Sequence, residues 1–586
     1  MVETARDIVS DLGPECRRVL VGKHALSLPV KTSQLKDFDH IPILRIRDWF
    51  DFFLTHSCLH LLCGLQQPHP KREADILTCF WENFRALRPR HEIFQRASEG
   101  RLVLSQTFPL LVHGDEGRGR KHAAHFVMSF HPVLGMGFKK KEKSTSWAKM
   151  ECNFSGHTYT NRFLIATMRK RDYSDQNVET WNALMEEVAA EAAFMADDGV
   201  VASNGLRFWG VVLGIVGDWP FLHKSGGFCR SFNNIQKRKT QKNLPVGICH
   251  LCQGGQRPYP FEQLETRRPL WRSTMFAEDP FVLPNPLAMS LLHEPGKEAS
   301  LWCFDWFHTM HLGVLRNFIG SVLALLSDEE PQSNVDLRFA ALSARYRRWC
   351  HSNSRRAHIT KLTKESIGWE KTTTFPSAIW HKGALSTVVM DFLEARFAED
   401  TFAHQPLLQM ASEACNAIQR CARILYRSEV WLSPSVCKLV SELGFQFLRR
   451  YSQMASLANS QNRCLFVFQP KIHCLHHFKV ELMEAHQANV KGLNPMALSC
   501  QQSEDFIGRP ARLSRRVTAQ RPVLHRIMDR YLQATYHMFL QNRILIRPTW
   551  LTVIVGWRFP QVISFKWLEF FVNHHHQKIS RNVPMK

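Results

Sequence analysis

The chain has 586 residues, a formal net charge of +23 and a hydrophobic fraction of 45%. This length predicts two to four domains, or one core with large insertions. The apolar fraction excludes wholesale disorder. An uncharged apolar run of about 18 residues is lacking, which argues against a membrane-spanning helix. The acidic start, MVETARDIVSDLGPE, has no apolar segment, so no signal peptide is expected.

Cysteine usage and charge indicate a compartment and a partner. The 16 cysteines are scattered rather than arranged as a disulfide framework, so a reducing compartment is expected. An excess of lysine and arginine favours a phosphate-rich partner, and nucleic acid is the first such partner. The alternative is a basic protein that is merely soluble.

The predicted elements change character after residue 100. Residues 1–100 are predicted to be a mainly helical accessory region, with apolar helices near 43–65 and 74–87. Three strands, a helix and a continuously apolar fourth strand are predicted at 108–113, 123–133, 161–168, 178–195 and 206–216. The segment Gly114-Asp115-Glu116-Gly117 predicts a turn after the first strand. This order is typical of the opening of an RNase H-like fold.

The remaining chain is predicted to complete such a core around a large insertion. The expected fold is α+β or α/β, with an RNase H-like mixed sheet flanked by helices. The predicted segments are 1–100 (helical), 101–235 (first part of the core), 236–303 (irregular, zinc-knuckle-like), 304–462 (all-helical insertion), 463–540 (end of the core, with a weak strand near 464–468) and 541–586 (tail of unassigned role).

Two aspartates lie where such a core carries its chemistry. The fold places one carboxylate on the first strand and another at the end of the fourth, and Asp115 and Asp218 occupy these places. Carboxylates that converge on two Mg²⁺ or Mn²⁺ ions cut and join phosphodiesters. Asp115 has an alternative interpretation as a turn residue that bonds its own backbone.

Cysteine and histidine spacing predicts a second metal site. Cys249 and Cys252 are two ligands at zinc-binding spacing, and a structural zinc needs four. The expected partners are His308, His311 or Cys303. Asp305, His308 and His311 can also share one helix face as a buried polar cluster that orders the insertion. The histidines from His473 to His477 are interpreted as structural.

An acidic pair followed by arginines closes the predicted core. Glu504 and Asp505 precede an arginine-rich stretch, which is typical of a metal site beside a nucleic-acid backbone, or alternatively of a solvated basic helix. The arginines are Arg509, Arg512, Arg515, Arg516, Arg521, Arg526 and Arg530.

Taken together, four motifs resemble the catalytic region of CACTA-type (En/Spm-like) DDE DNA transposases over residues 105–515. They are LLVHGDEGRGRK with Asp115, GIVGDWPFLHKSGGFCRSFNN with GICHLC and Asp218, FDWFHTMHLGVLRNFIG with Asp305 and His308, and KIHCLHHFKVELMEA with NPMALSCQQSEDFIG and Glu504. The first motif reads GDEG where the family has DG followed by NP.

The resemblance implies a nuclear, transposon-derived DDE transposase that acts on transposon ends and target DNA. Asp115, Asp218 and Glu504 would be the catalytic acids holding two Mg²⁺ or Mn²⁺ ions, with Glu116, Asp305 and Asp505 as secondary acids. Zinc would be held by Cys249 and Cys252 with His308 and His311. Transposases of this kind usually work as assemblies, so a second copy of the chain is an expected partner, and no membrane is expected.

Basic residues would follow the DNA backbone in this interpretation. They are Lys139, Lys140, Lys141, Lys237, Arg238, Lys239, Arg509, Arg512, Arg515 and Arg516. The alternative function is that of a catalytically inactive, domesticated nucleic-acid-binding protein on the same fold. A helical interaction protein without such a sheet is a third hypothesis.

Overall fold

The computed structural model describes residues 25–32, 41–137, 149–174, 178–235, 247–359, 361–380, 382–400, 402–517 and 523–545. The chain divides into two compact units, Met1–Phe539 and Leu540–Lys586. The functional sites lie in the first unit. Its described part is mixed α/β, as the sequence predicts at the level of fold class.

The described residues contain eleven strands, and those between residues 31 and 217 include the seven that form one large sheet. The strands are β1 (Lys31–Thr32), β2 (Pro42–Ile43), β3 (Thr107–Arg118), β4 (Ala124–Pro132), β5 (Leu134–Gly135), β6 (Glu151–Cys152), β7 (Phe163–Arg169), β8 (Val200–Val201), β9 (Arg207–Gly217), β10 (Trp431–Leu432) and β11 (Gly492–Leu493). Seven of them pair in the order β1-β2-β7-β4-β3-β9-β8. Strand β4 is antiparallel to both of its neighbours, β3 and β7, whereas β9 runs parallel to β3.

The α-helices surround this sheet and build the insertion. They are α1 (Ile46–Thr55), α2 (Pro70–Leu87), α3 (Glu92–Ser98), α4 (Val178–Asp197), α5 (Trp219–Gly226), α6 (Pro286–Ser290), α7 (Leu315–Asp328), α8 (Val335–Ser352), α9 (Gly383–Glu399), α10 (Pro406–Arg427), α11 (Pro434–Ser460), α12 (Pro470–Gln487), α13 (Gln501–Ser514) and α14 (Val523–Gln541). A π-helical segment, Phe307–Val314, leads directly into α7.

The four predicted strands and the predicted helix are present, but β3 is longer than expected. It continues through the GDEG segment to Arg118, which pairs with Ala124 of β4. The predicted turn after residue 113 is therefore wrong, because the polar residues of this segment complete a ladder with β4. Asp115 consequently lies within a strand and not in a turn, although its Oδ1 accepts the local hydrogen bond expected in that interpretation, from the Glu116 amide (2.5 Å).

The two faces of the sheet are covered by different elements. On one face, Phe126 of β4 packs against Trp181 of α4 and Phe221 of α5. On the other face, α13 lies so close to β3 that a Cβ atom at Gly117 would be 2.7 Å from the Cβ atom of Ala511. Side chains alternate between these faces along β3, so neighbours in sequence enter different environments.

The N-terminal region is joined to the sheet rather than lying apart from it. Strand β2 pairs with β7, and the Trp49 indole of α1 donates a hydrogen bond to the Leu164 carbonyl of β7 (3.0 Å). Trp49 is fully buried. The helices predicted near residues 43–65 and 74–87 are present as α1 and α2, within the part of the chain that the structure describes.

The predicted insertion, residues 304–462, is mainly helical from the π-helical segment to α11, and its short strand β10 pairs with β11. The weak strand expected near residues 464–468 is wrong, because this stretch is irregular and leads into α12. The segment Phe307–Asp328 is long and apolar enough to span a membrane, but 89% of its most apolar window is buried inside the protein. That burial is the behaviour of a core helix.

Candidate metal centres

Asp115 and Asp218 occupy equivalent positions on neighbouring parallel segments. Gly114 of β3 is in register with Gly217, the last residue of β9; Asp115 follows Gly114 within β3, and Asp218 follows β9 directly as the N-cap of α5. Parallel strands in register place equivalent positions on the same face. The two carboxyl groups therefore lie on one face, where they interact electrostatically.

Two glycines make the close approach behind these acids possible. A Cβ atom at Gly114 would lie 2.3 Å from a ring carbon of Phe221, and one at Gly217 would lie 2.5 Å from the same ring. Phe221 belongs to α5, whose N-cap is Asp218: one of its carboxylate oxygens accepts a hydrogen bond from the Phe221 amide (2.9 Å). The Phe221 ring thus fills the space opposite the acids and fixes the start of α5.

Glu504 reaches the same face from α13. It lies in the first helical turn, where a negative charge is favoured by the helix dipole. A carboxylate oxygen of Asp115 and one of Glu504 lie within 4.8 Å of each other. One oxygen of Glu504, Oε1, is buried without a hydrogen-bond partner among the described residues. A buried oxygen of this kind is available to coordinate a cation.

All three acids have raised pKa values. Burial, followed by the charges of Glu504 and Asp218, raises the pKa of Asp115 well above its usual value. Burial is also the largest cause of the raised pKa values of Asp218 and Glu504. Carboxylates held together in a partly dry site repel one another, and a bound divalent cation reduces this repulsion.

His308 and Asp305 border this acidic site from the π-helical segment. His308 Nδ1 hydrogen-bonds Asp305 Oδ2 (2.5 Å), and His308 Nε2 lies 3.5 Å from Glu504 Oε1. Burial lowers the pKa of His308, but the hydrogen bond and charge of Asp305 outweigh it, and the net pKa is raised. π-Helical turns occur often at functional sites.

Asp305, a secondary acid in the sequence analysis, is fully occupied by other donors. Its oxygens also accept hydrogen bonds from the amides of Phe307 (2.9 Å), His308 (2.8 Å) and Cys500 (2.8 Å), and its side chain is fully buried. Cys500 is the N-cap of α13. Asp305 therefore connects His308 to the helix that carries Glu504, and it is a positioning residue rather than a free ligand.

The other two secondary acids point elsewhere. Glu116 follows Asp115 in β3 and so faces the opposite side of the sheet, where Lys170 and the Tyr173 hydroxyl contact its Oε1 (both 2.7 Å). Asp505 is exposed and accepts hydrogen bonds from Arg509 (2.7 Å) and Thr158 (3.1 Å). The structure therefore brings together Asp115, Asp218 and Glu504 and leaves these neighbours outside.

A second centre is formed by Cys249, Cys252, His473 and His477. All four side chains are buried, and their ligand atoms lie within 4.8 Å of one another. Cys249 Sγ is 3.5 Å from His477 Nε2, Cys252 Sγ is 3.3 Å from His473 Nε2, and the two Nε2 atoms are 3.0 Å apart. Zn–S bonds of about 2.3 Å and Zn–N bonds of about 2.0–2.1 Å in a tetrahedron give ligand separations of roughly 3.3–3.8 Å.

The surroundings of this second centre suit a structural zinc. The backbone amides of Leu251 and Gly254 donate to the two sulfur atoms (3.4 and 3.3 Å), as occurs around metal-bound thiolates. Burial raises the pKa of Cys249, but hydrogen bonds and the His477 charge outweigh it and hold the pKa well below its usual value. The ring of Trp271 covers His473 and His477 at centroid distances of 4.6 and 4.4 Å.

The expected zinc partners of the two cysteines must be corrected. His308 borders the acidic site, and both ring nitrogens of His311 are engaged by Tyr426 (3.0 Å) and Thr387 (3.3 Å). Cys303 contacts backbone carbonyls. Instead, the histidines interpreted as structural complete the cluster. Their i, i+4 spacing on α12 was the available signal, because it aligns two rings on one helix face.

No model of a known protein family and no curated protein matches this chain. The two centres and the basic residues are therefore the observations from which a function is inferred. Side-chain clusters of these two types are compatible with bound metal and do not identify it. Carboxylates favour Mg²⁺ or Mn²⁺, whereas the Cys₂His₂ set favours zinc.

The predicted DNA-binding residues are only partly described. Lys139, Lys140, Lys141, Lys237, Arg238 and Lys239 lie outside the described residues. On α13 and just after it, Arg512, Arg515 and Arg516 are exposed, and Arg515 Nε donates to the Arg118 carbonyl (3.0 Å). Arg509 is half-buried and paired with Asp505. The exposed arginines thus follow Glu504 along the last turns of α13 and the residues directly after it.

One cation near the acids was not singled out by sequence. Lys471, at the start of α12, interacts electrostatically with Asp218 and Asp305, and its Nζ donates to the Leu312 carbonyl (3.3 Å). Burial is the main cause of its lowered pKa. Its aliphatic stem fills the space beside Gly313, where a Cβ atom would be 2.5 Å from Lys471 Cδ. The sequence around Lys471 contains no pattern that distinguishes it from a surface lysine.

Proposed function

We propose that the protein is a metal-dependent DNA-cutting and -joining enzyme of the DDE transposase class, with Asp115, Asp218 and Glu504 as its acids. The observation that carries this proposal is the convergence of these carboxyl groups on one face of the sheet. They come from a strand, a strand end and a helix that are separated by up to 389 residues (504 − 115).

The sheet topology supports an RNase H-like core. In chain order, β3, β4, β7 and β9 are the first, second, third and fourth long strands, and their spatial order is third-second-first-fourth. The first three are antiparallel and the fourth is parallel to the first, after the α4 crossover. In this proposal, the insertion between Asp218 and Glu504 is an elaboration of that core.

The residues of the site fit phosphoryl-transfer chemistry. Divalent ions, when bound, activate an attacking oxygen and stabilise the leaving oxygen of a phosphodiester. Asp115, Asp218 and Glu504 would hold these ions. Asp218 and Glu504 are held by α5 and α13, and rigid elements provide the positional precision that the reaction requires.

The remaining features have defined roles in this proposal. Cys249, Cys252, His473 and His477 would hold zinc and fix the insertion to the core. The exposed arginines of α13 would contact the phosphates of bound DNA. A second copy of the chain is a proposed partner, and the nucleus is the proposed compartment, because the resemblance to CACTA-type transposases implies both.

The test is Mn²⁺-dependent nicking of supercoiled DNA by the full-length protein. Asp115→Asn, Asp218→Ala and Glu504→Gln are each expected to lower the rate by about 10³-fold or more, since metal ligands supply several kcal/mol of transition-state stabilisation. The matched controls are Glu116→Gln and Asp505→Asn, which alter the neighbouring acids that point elsewhere and are expected to retain activity.

Two results would overturn the proposal. If Asp218→Ala nicks DNA at the wild-type rate, the assignment of these three residues as the catalytic acids is wrong. A folded wild-type protein that binds DNA with steep salt dependence, but has no metal-dependent activity, would favour the catalytically inactive nucleic-acid-binding alternative.

A further inference from the structure

The acidic site contains one nitrogen donor among its carboxylates. A ring nitrogen of His308 and one carboxylate oxygen each of Asp115 and Glu504 lie within 4.8 Å of one another. His308 Nε2 is 3.5 Å from Glu504 Oε1, the oxygen that has no hydrogen-bond partner among the described residues. A nitrogen and a carboxylate oxygen at this separation can both reach one ion.

The imidazole is held with Nε2 toward the acids. Nδ1 is engaged by Asp305, whose carboxylate is itself fixed by the amides of Phe307, His308 and Cys500. A buried carboxylate bound to the far nitrogen of a histidine is the usual second partner of a metal-binding imidazole, because it fixes the tautomer and the ring orientation. The His308 side chain is 15% exposed, so an ion entering the site from solvent can reach it.

Nearby histidines do not share this arrangement. His311, three residues later, has both ring nitrogens engaged by hydroxyl groups. His113 lies two residues before Asp115 on β3 and is completely buried. Burial, followed by the His308 charge, lowers its pKa to about 3, so it remains neutral beneath the site. His308 is therefore the histidine whose free nitrogen and accessibility suit an ion held by Asp115 and Glu504.

We propose that His308 Nε2 is a direct ligand of the divalent ion held by Asp115 and Glu504, which makes the site selective for Mn²⁺ over Mg²⁺. This inference rests on the proposed function, because it concerns the same acidic site. Imidazole binds transition metals more strongly than Mg²⁺, which prefers oxygen ligands and retains its waters. Asp305 is the positioning residue for this ligand.

The test is pulsed electron paramagnetic resonance of Mn²⁺ bound to the full-length, zinc-loaded protein. Zinc occupies the Cys249 cluster first, so its histidines do not contribute. A Mn²⁺-bound imidazole produces a ¹⁴N electron–nuclear coupling, which becomes a ¹⁵N coupling when the histidines are ¹⁵N-labelled. This labelling experiment uses the wild-type protein and does not depend on whether a variant folds.

The variants define which histidine is responsible. His308→Gln is expected to lose the nitrogen coupling and to bind Mn²⁺ at least about ten-fold more weakly, because even second-sphere changes cost 10–100-fold in metal affinity. Its Mg²⁺ affinity is expected to change little. The matched control His311→Gln should keep the coupling and the Mn²⁺ affinity.

The outcomes separate this inference from the proposed function. Mn²⁺ binding that depends on Asp115 but lacks nitrogen coupling, or coupling that persists in His308→Gln, would overturn the role of His308 and leave the carboxylate site intact. If the wild-type protein does not bind Mn²⁺, or if Asp115→Asn binds it equally well, both the role of His308 and the proposed function are overturned.

Discussion

Asp115 shows how much one step along a strand decides. It and Glu116 are adjacent and chemically similar, yet one enters the acidic site and the other pairs with Lys170 on the opposite face. Sequence could nominate both, because both lie in the GDEG segment. It could not select between them, since the selection depends on the register of β3 with β9, which is set by long-range pairing.

Repulsion within the acids should make the stability of the Mn²⁺-free protein depend on pH. The pKa of Asp115 is raised by burial and by the charges of Glu504 and Asp218, so the folded chain binds more protons than the unfolded chain. Its contribution to the free energy of unfolding therefore decreases as pH rises from about 3.9, the ordinary aspartate pKa, through the folded pKa.

Thermal unfolding at pH 5 and pH 8 checks this expectation. Without added Mn²⁺, Asp115→Asn should have a higher midpoint than the wild type at pH 8, by on the order of 2 °C, and the difference should shrink at pH 5. Added Mn²⁺ should raise the unfolding midpoint of the wild type but not that of Asp115→Asn. Glu116→Gln is the control, and equal midpoints for wild type and Asp115→Asn at both pH values would contradict the prediction.

At the scale of elements, the local spacing of apolar residues predicted the helices, but the sequence did not indicate which distant residues pair. The helices of the insertion follow the apolar spacing of the sequence, so α8 and α10 occur where that spacing predicts them. The length of β3 was missed because glycine and acidic residues resemble a turn. The ligands on α12 were missed because they meet cysteines 221 and 228 residues away in the chain.

Zinc at the Cys249 cluster should stabilise the junction between core and insertion. Cys249→Ser is expected to lose the bound zinc and several kcal/mol of stability, because structural zinc supplies about 10–16 kcal/mol of folding free energy in small zinc-binding peptides. Zinc content by mass spectrometry and the unfolding midpoint measure this effect.

His476→Gln is the matched control for that substitution. His476 lies on the same helix between the two ligands, but its Nε2 hydrogen-bonds the Thr266 carbonyl (3.1 Å). The variant should keep a full equivalent of zinc. Stoichiometric zinc in Cys249→Ser would show that the metal is held elsewhere.

At the scale of the whole molecule, the net charge of +23 predicts affinity for nucleic acid. It predicts nothing about the fold. Arg512 and Arg516 follow Glu504 in the chain and are exposed, so the proposed function predicts that they contact the DNA backbone. Sequence indicated the charge and its clustering. It could not separate these arginines from Arg509, whose charge is compensated by Asp505.

Salt titration of duplex DNA binding measures the role of these arginines. Arg512→Ala and Arg516→Ala should each weaken binding and reduce the slope of log K against log salt by about 0.9, the value for one phosphate contact. Arg345→Ala is the control, because Arg345 is paired with Glu330 in the insertion (2.9 Å). Unchanged slopes in all three variants would remove α13 from the DNA interface.

The position of Glu504 so late in the chain also has a consequence for biosynthesis. A ribosome adds about 5–20 residues per second, so the 286 residues between Asp218 and Glu504 (504 − 218) separate the second acid from the third by roughly 14–57 s. During that interval the nascent chain holds two of its three acids, and His473 and His477 emerge before the third. Translation therefore delivers all four residues of the Cys249 cluster before it completes the acidic site, and a polypeptide released before residue 504 would lack the third acid.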